Sequence, residues 1–359
     1  MSEPSDRVAA ARIFREEAVR AGFSRVGIAR AGEPPRFDRF IEWIAAGRHA
    51  AMTYLQRTAS LRAAPERLLE GARSVVCLAA PHPTKAPVAA DGSRVARYTV
   101  GADYHGTLRA RATRAARAAA ARIGGEIRWR VCVDSTPIAE RSFAAAAGLG
   151  WIGKNGCLID SELGSYLLLA EIVTDADLPP DEPAAEMCGS CARCLESCPT
   201  DAFLAPGLLD AKRCLAYWTI EHRGPIPDDM KIALGDHVFG CDICQEVCPW
   251  NEPARRGPSL PSPPGRGIGG EGVVSPPIPT RAEWLAMGPG EWRRRFGATA
   301  LNRAGRRGLH RNAAASAGAT CDRSVLPALS RARRTGDLGL ADAARWAADR
   351  LESGVERTT

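Results

Sequence analysis

Lysine is the first thing this 359-residue sequence lacks: four Lys stand against 44 Arg, a bias that a GC-rich genome produces and that leaves many arginines as ordinary solvated surface. No run approaches the roughly 18 apolar residues that a membrane span needs, so no span is predicted. The opening MSEPSDRVAA carries neither an apolar signal core nor a twin-arginine pair, and the expectation is a cytoplasmic protein. No GxGxxG follows a strand and no phosphate-binding P-loop occurs, which leaves nucleotide cofactors without support. With 45% hydrophobic and 25% charged residues, the composition is that of a soluble globular chain long enough for two or three domains.

Cysteine, by contrast, is plentiful. Twelve cysteines in a reducing compartment point to metal binding rather than disulfides. Charge is plentiful too, but uneven. The net charge is +7, yet residues 181–252 hold 13 acidic and five basic side chains, so the remainder is strongly basic. Arg94 to Arg130 is one basic stretch; Arg293, Arg294, Arg295, Arg303, Arg306, Arg307 and Arg311 form another. A basic body suits a polyanion such as RNA.

Periodicity divides the chain. Residues 6–20 read as an amphipathic helix followed by a strand, SRVGIARA. FDRFIEWIAAGRH and RATRAARAAAARIG read as helices, SVVCLAA, RWRVCVDS and YLLLAEIVT as strands. Thr136-Pro137 reads as a cap and first residue for the helix IAERSFAAAAGLG. These elements predict a mixed α/β, or α+β, domain over 1–180. A ferredoxin-like cysteine domain is expected over 181–254, a Pro/Gly-rich linker over 255–280, and a HEAT-like helical appendage over 281–359.

The most specific signal is CGSCARCLESCP. Cys188, Cys191, Cys194, Cys198 and Pro199 follow the two-cluster ferredoxin spacing, in which the fourth cysteine ligates the other cluster. A second set is therefore required. GCDICQEVCPW supplies Cys241, Cys244 and Cys248, and Cys214 in DAKRCLAYW completes eight ligands. One [4Fe–4S] cluster takes Cys188, Cys191, Cys194 and Cys248; the other takes Cys198, Cys214, Cys241 and Cys244. Two zinc sites are the alternative for paired CxxC motifs, and the crossed spacing with its trailing prolines favours iron–sulfur. Cys77 and Cys132 read as buried hydrophobes; Cys321 is isolated, and Cys157 in a Gly-rich loop stays open.

MTYLQR, RYTVGADYH, VCVDSTPIAER, GLGWIGKNGCLI, YWTIEHRGPIP and GLHRNAAASAGA, together with the crossed cysteines, resemble epoxyqueuosine reductase over most of the chain. The linker near 255–279 departs from that pattern by its length. The resemblance implies a cobalamin- and iron–sulfur-dependent enzyme for the last step of queuosine synthesis on tRNA. The corrinoid would lie between the first domain and the cluster domain, and an external low-potential donor of ferredoxin or flavodoxin type would supply electrons. Asp134 matches the family's acid; as a proton donor near neutral pH it needs burial to raise its pKa, and its competing reading is a helix cap. The resemblance also implies cofactor contacts from Arg57, Arg97, Lys154, Asn155, Leu158 and Asp242, and a tRNA phosphate contact from Arg223. Trp218 could stack on the flipped nucleoside or simply fill the core. Neither His105 nor His222 is expected as an axial cobalt ligand. A monomer is expected. Competing readings are a corrinoid iron–sulfur reductase of a small molecule, like a reductive dehalogenase; a non-enzymatic electron carrier; and a zinc-stapled RNA-binding protein.

Overall fold

The apolar runs of the first half become the inner strands of an antiparallel sheet. The computed structural model describes residues 4–252 and 277–354. Its first half runs α1 (Pro4–Arg20), β1 (Arg25–Arg30), α2 (Phe37–Ala45), α3 (Thr53–Arg57), α4 (Ala59–Arg62), β2 (Ser74–Pro81), β3 (Arg94–Val95) and α5 (Tyr104–Ile123). It continues with β4 (Trp129–Cys132), α6 (Glu140–Ala146), β5 (Trp151–Ile152), β6 (Leu158–Ile159) and β7 (Leu167–Thr174). The cysteine-rich part contributes α7 (Arg193–Glu196), β8 (Phe203–Ala205), β9 (Leu208–Leu209), α8 (Asp228–Leu234), β10 (His237–Phe239) and α9 (Ile243–Glu246). Five helices close the chain: α10 (Arg281–Ala286), α11 (Pro289–Phe296), α12 (Gly305–Ala319), α13 (Leu326–Ala332) and α14 (Leu338–Glu352).

The main sheet has the order β1-β2-β7-β4, and every neighbouring pair is antiparallel. The domain is therefore α+β, with no parallel crossover in this sheet. β2 and β7 are continuous apolar runs because both of their faces are covered. One face packs Ile28, Val76, Leu78 and Ile172 against Phe14 of α1 and Leu108 and Ala112 of α5. The other packs Val75, Cys77, Cys132 and Val173 against Phe143, Ala144 and Ala147. Successive strand residues alternate between the two cores, as the pleat requires. Gly27 has no side chain where the chain after α6 crosses β1: a Cβ there would lie 2.0 Å from the Ala147 carbonyl oxygen.

The expected cap of α6 is not formed. Thr136 and Pro137 belong to a turn in which Thr136 N–H donates to Val133 O, and the helix starts at Glu140 after Ala139 with no side-chain cap. Proline at 137 arrives three residues before the helix, too early to be its first residue.

The helical end is not an independent appendage. Leu215, Ile226 and Leu234 share one apolar core with Ala314, Ala344, Leu351 and their neighbours. Val95, Val238 and Phe239 share another with Trp284, Trp292, Phe296 and Leu309. These cores cross the boundaries expected from composition. The expected linker over 255–280 lies outside the described residues up to 276; at its end Thr280 opens α10 with a capping box closed by Glu283. Among the described residues, no helix is long and apolar enough to cross a membrane.

Candidate active site and cluster domain

β4 ends at Cys132, and two residues later Asp134 adopts a left-handed backbone conformation (φ +44°). Such a φ is uncommon outside glycine and costs about 1–3 kcal/mol, so surrounding contacts must hold it. They do. The Asp134 N–H donates to the Glu140 carboxylate, and Asp134 Oδ2 lies 2.7 Å from His105 Nε2. The other ring nitrogen of His105, Nδ1, lies 2.6 Å from Asp103 Oδ1, and Asp103 also caps α5. Tyr104 stacks on His105 with ring centroids 4.1 Å apart.

The two carboxylates on either side of the imidazole favour its protonated form. The Asp134 hydrogen bond raises the His105 pKa above its ordinary 6.5, and Asp103 adds to this against partial burial. For Asp134, burial pushes upward, but the His105 hydrogen bond and charge, Tyr104 and Arg303 outweigh it, and the carboxyl is held below its usual range. Burial acts in the expected direction, but the net shift is opposite to the raised pKa that the sequence reading expected. The Asp134 side chain is 53% exposed, and the proton rests on the histidine side of the pair. Behind it, Glu140 behaves oppositely. Burial and the Asp134 charge push it up to about 7, with the Asp134 N–H, Arg141 and Arg62 pulling down.

Nearby, Arg303 pairs with Glu221 through two bonds of 2.9 and 2.8 Å, and its guanidinium lies 5.6 Å from the Tyr54 ring centroid. Arg303 is thereby fixed near enough to bias the Asp134 charge. The site thus draws on α3, α5, the strand end after β4, the π-helical turn Tyr217–Glu221 and the chain before α12. Sequence reading found Asp134 but gave no site role to Tyr54, Glu140 or Glu221, although the motifs MTYLQR, DSTPIAER and YWTIEHRGPIP contain them, and it placed Arg303 only in a basic stretch.

Other candidates are placed differently. Arg97 is 11% exposed, and its Nη1 pairs with Asp242 at 3.2 Å and Glu246 at 2.5 Å while Nε donates to Thr84 O. Asp242 also accepts from the Arg97 N–H. Both residues brace the second cysteine motif, and their polar atoms are turned to each other. Lys154 Nζ donates to Gly189 O and Cys191 O, and Asn155 Nδ2 to Cys244 O, so these two side chains tie the Gly153–Gly156 turn to both cysteine motifs. Leu158 is buried in the α6-side core. Arg57 is exposed at the end of α3. Arg223 donates to Ile220 O, His222 O and Arg303 O, and borders a cavity of about 490 Å³ with Arg306, Arg307, Arg311 and Asp337. The Trp218 ring stacks edge-on against Tyr217 and His222, and its Nε1 donates to Lys212 O, which occupies it structurally.

The two cysteine motifs are local repeats. α7 and α9 are one-turn helices that pack together, each entered at ψ 6° and left at φ −83°, ψ −5°. Cys188, Cys191, Cys194 and Cys248 line one cavity of about 290 Å³, with Trp250, Lys154 and Asn155 at its edge. Trp151 Nε1 lies 3.4 Å from Cys188 Sγ, and the Ala202 N–H 3.3 Å from Cys198 Sγ, both as donors to sulfur. Cys198, Cys214 and Cys241 lie close enough for their charges to interact, and Cys244 joins them through Cys214 and Cys241. Among the described residues no three His, Cys, Asp or Glu converge as ligands of a single ion. Four thiols framing a volume suit a cubane and not a zinc ion.

A sheet domain with an acid at a strand end, joined to a doubled cysteine motif, defines an iron–sulfur oxidoreductase. Residues 187–251 match the 4Fe-4S double cluster binding domain, and residues 62–135 match the family described as Epoxyqueuosine reductase QueG, DUF1730. An epoxyqueuosine reductase of Xanthomonas campestris pv. campestris is 44% identical over 265 residues, 71% of this chain and 74% of the relative. One from Synechococcus sp. (strain RCC307) is 38% identical over 294 residues, 81% and 88% of the two chains. The chain belongs to the epoxyqueuosine reductase family. A solved epoxyqueuosine reductase with an epoxyqueuosine-modified tRNA-Tyr stem loop superposes with TM-score 0.83 at 29% identity, covering 95% of this chain and 89% of that one. A Bacillus subtilis reductase whose aspartate-bearing catalytic loop is swung out of its active site superposes at 0.82, with 28% identity and coverage of 95% and 90%.

Proposed function

We propose that this protein reduces epoxyqueuosine to queuosine in tRNA, with Asp134 delivering a proton to the departing epoxide oxygen. The observation that carries this reading is the half-exposed Asp134 carboxylate, held at a strand end by His105 and Glu140 in a chain with a double cluster domain. Opening an epoxide and losing its oxygen as water breaks two C–O bonds and forms one C=C bond. It consumes two electrons and two protons. An alkoxide is a poor leaving group, and a positioned acid contributes about 10²–10⁴-fold. The proton comes from the His105 side of the pair: Asp134 relays it to the departing oxygen, and the His105 hydrogen bond keeps the carboxyl aimed outward.

The ligand sets follow the crossed spacing: Cys188, Cys191, Cys194 and Cys248 for one cluster, Cys198, Cys214, Cys241 and Cys244 for the other. The residues present would also fit a corrinoid, and neither His105 nor His222 has a ring nitrogen left unengaged for it. Both ring nitrogens of His105 are engaged by Asp103 and Asp134, and those of His222 face the Tyr217 hydroxyl and Pro225 O. Arg57 and the backbone of the Gly153–Gly156 turn would hold it; beyond Gly156 the nearest atom to an added Cβ is Arg141 Nη1 at 3.6 Å. When bound, the clusters carry single electrons from an external low-potential donor, and the corrinoid supplies a low-valent metal able to reduce the epoxide. The basic cavity beside Arg223 and the C-terminal helices, read as a HEAT-like clamp, would grip the tRNA backbone. A cytoplasmic monomer suits this role.

The test is anaerobic. Reconstituted protein is incubated with epoxyqueuosine-containing tRNA and a strong reductant, with and without cobalamin, and the nucleosides are weighed by mass spectrometry. Cobalamin-dependent loss of one oxygen is the expected result. No conversion by protein carrying its full iron and bound cobalamin would overturn the assignment.

A further inference from the structure

β5 and β6 pair as a short hairpin, Trp151 opposite Ile159, whose tip turns back where Gly153 N–H donates to Cys157 O. Trp151 is 2% exposed and packs with Ile159 and Cys248, with Cys188 and Trp250 beside them. Its ring meets that of Trp250 edge-on, with centroids 5.0 Å apart. A buried indole N–H needs an acceptor, and this one finds sulfur: Trp151 Nε1 donates to Cys188 Sγ at 3.4 Å. Three residues on, Lys154 Nζ donates to Gly189 O at 2.8 Å and to Cys191 O at 2.9 Å. Its ammonium is thereby held against the loop that carries Cys188 and Cys191. Cysteines apart, Lys154 is the one charged side chain among the described residues lining the cavity that Cys188, Cys191, Cys194 and Cys248 share. The mouth of that cavity lies at the surface, where Met187, Gly189 and Ser190 are exposed.

We propose that Trp151 and Lys154 raise the reduction potential at the Cys188, Cys191, Cys194 and Cys248 site, so that a weaker donor fills it than the thiolates alone would require. The inference rests on the two-cluster ligand sets and needs no particular substrate. Taking up one electron adds one negative charge to a site already crowded with thiolates. Hydrogen bonds to ligand sulfur and nearby positive charge both stabilise that more negative, reduced form. Trp151 supplies the first and Lys154 the second. Both come from the hairpin and not from the cysteine motifs, so the domain that carries Asp134 also sets how readily this site takes an electron. At Cys198, in the other ligand set, the donor to sulfur is local: the Ala202 N–H at 3.3 Å. Replacing Trp151 or Lys154 leaves that bond in place, which makes the second site an internal reference.

The test is a potentiometric titration of the reconstituted full chain, read by electron paramagnetic resonance at equal iron content, without tRNA or cobalamin. It compares wild type with Trp151→Phe, Lys154→Gln and Lys154→Arg. Phe keeps a ring against Trp250 and Ile159 and removes the N–H; Gln keeps a donor and removes the charge. Wild type is expected to show two midpoints. Trp151→Phe and Lys154→Gln are each expected to lower the same one, by about a tenfold change in the reduction equilibrium, or about 59 mV for a one-electron couple. The other midpoint is expected to stay, and Lys154→Arg, which keeps the charge, to retain both wild-type values. A purely structural role would cost cluster retention or thermal stability without moving a midpoint. Wild-type midpoints in both Trp151→Phe and Lys154→Gln, or an equal fall of both midpoints, would overturn the proposal. Should Trp151→Phe not load its clusters, Lys154→Gln against Lys154→Arg carries the same comparison. A wild type that fails to convert epoxyqueuosine would sink the substrate reading and leave these midpoints standing, so the two failures are distinguishable.

Discussion

At the scale of single residues, the decisive relation is between Asp134 and His105. Each alone is unremarkable; together they fix where a proton is kept. The consequence for stability has a sign. His105 has its folded pKa raised above 6.5, so its contribution is fully present below that value and fades as pH rises through the raised one. Asp134 has its folded pKa lowered below 3.8, so its contribution is present above that value and fades as pH falls through the lowered one. The pair therefore stabilises the protein most between 3.8 and 6.5. His105→Gln is expected to lower the thermal midpoint in that window and to match wild type at alkaline pH; an equal deficit at every pH would mean His105 acts by packing alone. Asp134 was legible in the sequence because it ends an apolar strand inside a motif. Its partner was not, since His105 lies 29 residues away and only the fold brings Nε2 to the carboxylate.

At the scale of elements, local patterns were legible and long-range pairings were not. SRVGIARA, SVVCLAA and YLLLAEIVT read as strands because their apolar runs are short and bounded, and each is one. The cysteine spacing was legible because cluster ligation is set by a few residues of chain. The start of α6 was misread, since Thr136-Pro137 has the chemistry of a cap but closes a turn instead. Arg97 and Asp242, 145 residues apart, could not be paired from sequence at all. The approach of β1 to the end of α6 carries a prediction. Gly27→Ala places a Cβ against the Ala147 carbonyl and is expected to cost about 1–3 kcal/mol. Chemical denaturation measures it, and an unchanged midpoint would mean that α6 shifts freely.

At the scale of the whole molecule, acid, cysteine motifs and basic helices belong to one body because their cores are shared. Leu215 and Leu234 share a core with Ala314 and Ala344, at least 80 residues further on, so the core crosses the boundaries drawn from composition. That sharing is what brings Arg303 near Asp134, and Arg303 in turn adjoins the arginine cavity through Ala304 and Arg223. Arg307 borders the cavity with its side chain largely exposed and only a long 3.9 Å pairing of its Nε with Asp337, which leaves its terminal nitrogens open to phosphate. Arg307→Ala is expected to weaken tRNA binding and to lower the slope of log K against log salt by about 0.7–1; an unchanged slope would place the backbone contacts elsewhere. The account as a whole stands on one measurement: the single-turnover rate at which bound epoxyqueuosine loses its oxygen, in wild type and in Asp134→Asn with equal cluster iron and equal tRNA affinity. A fall of about 10²–10⁴-fold in the variant is the predicted result. Conversion at the wild-type rate would contradict it.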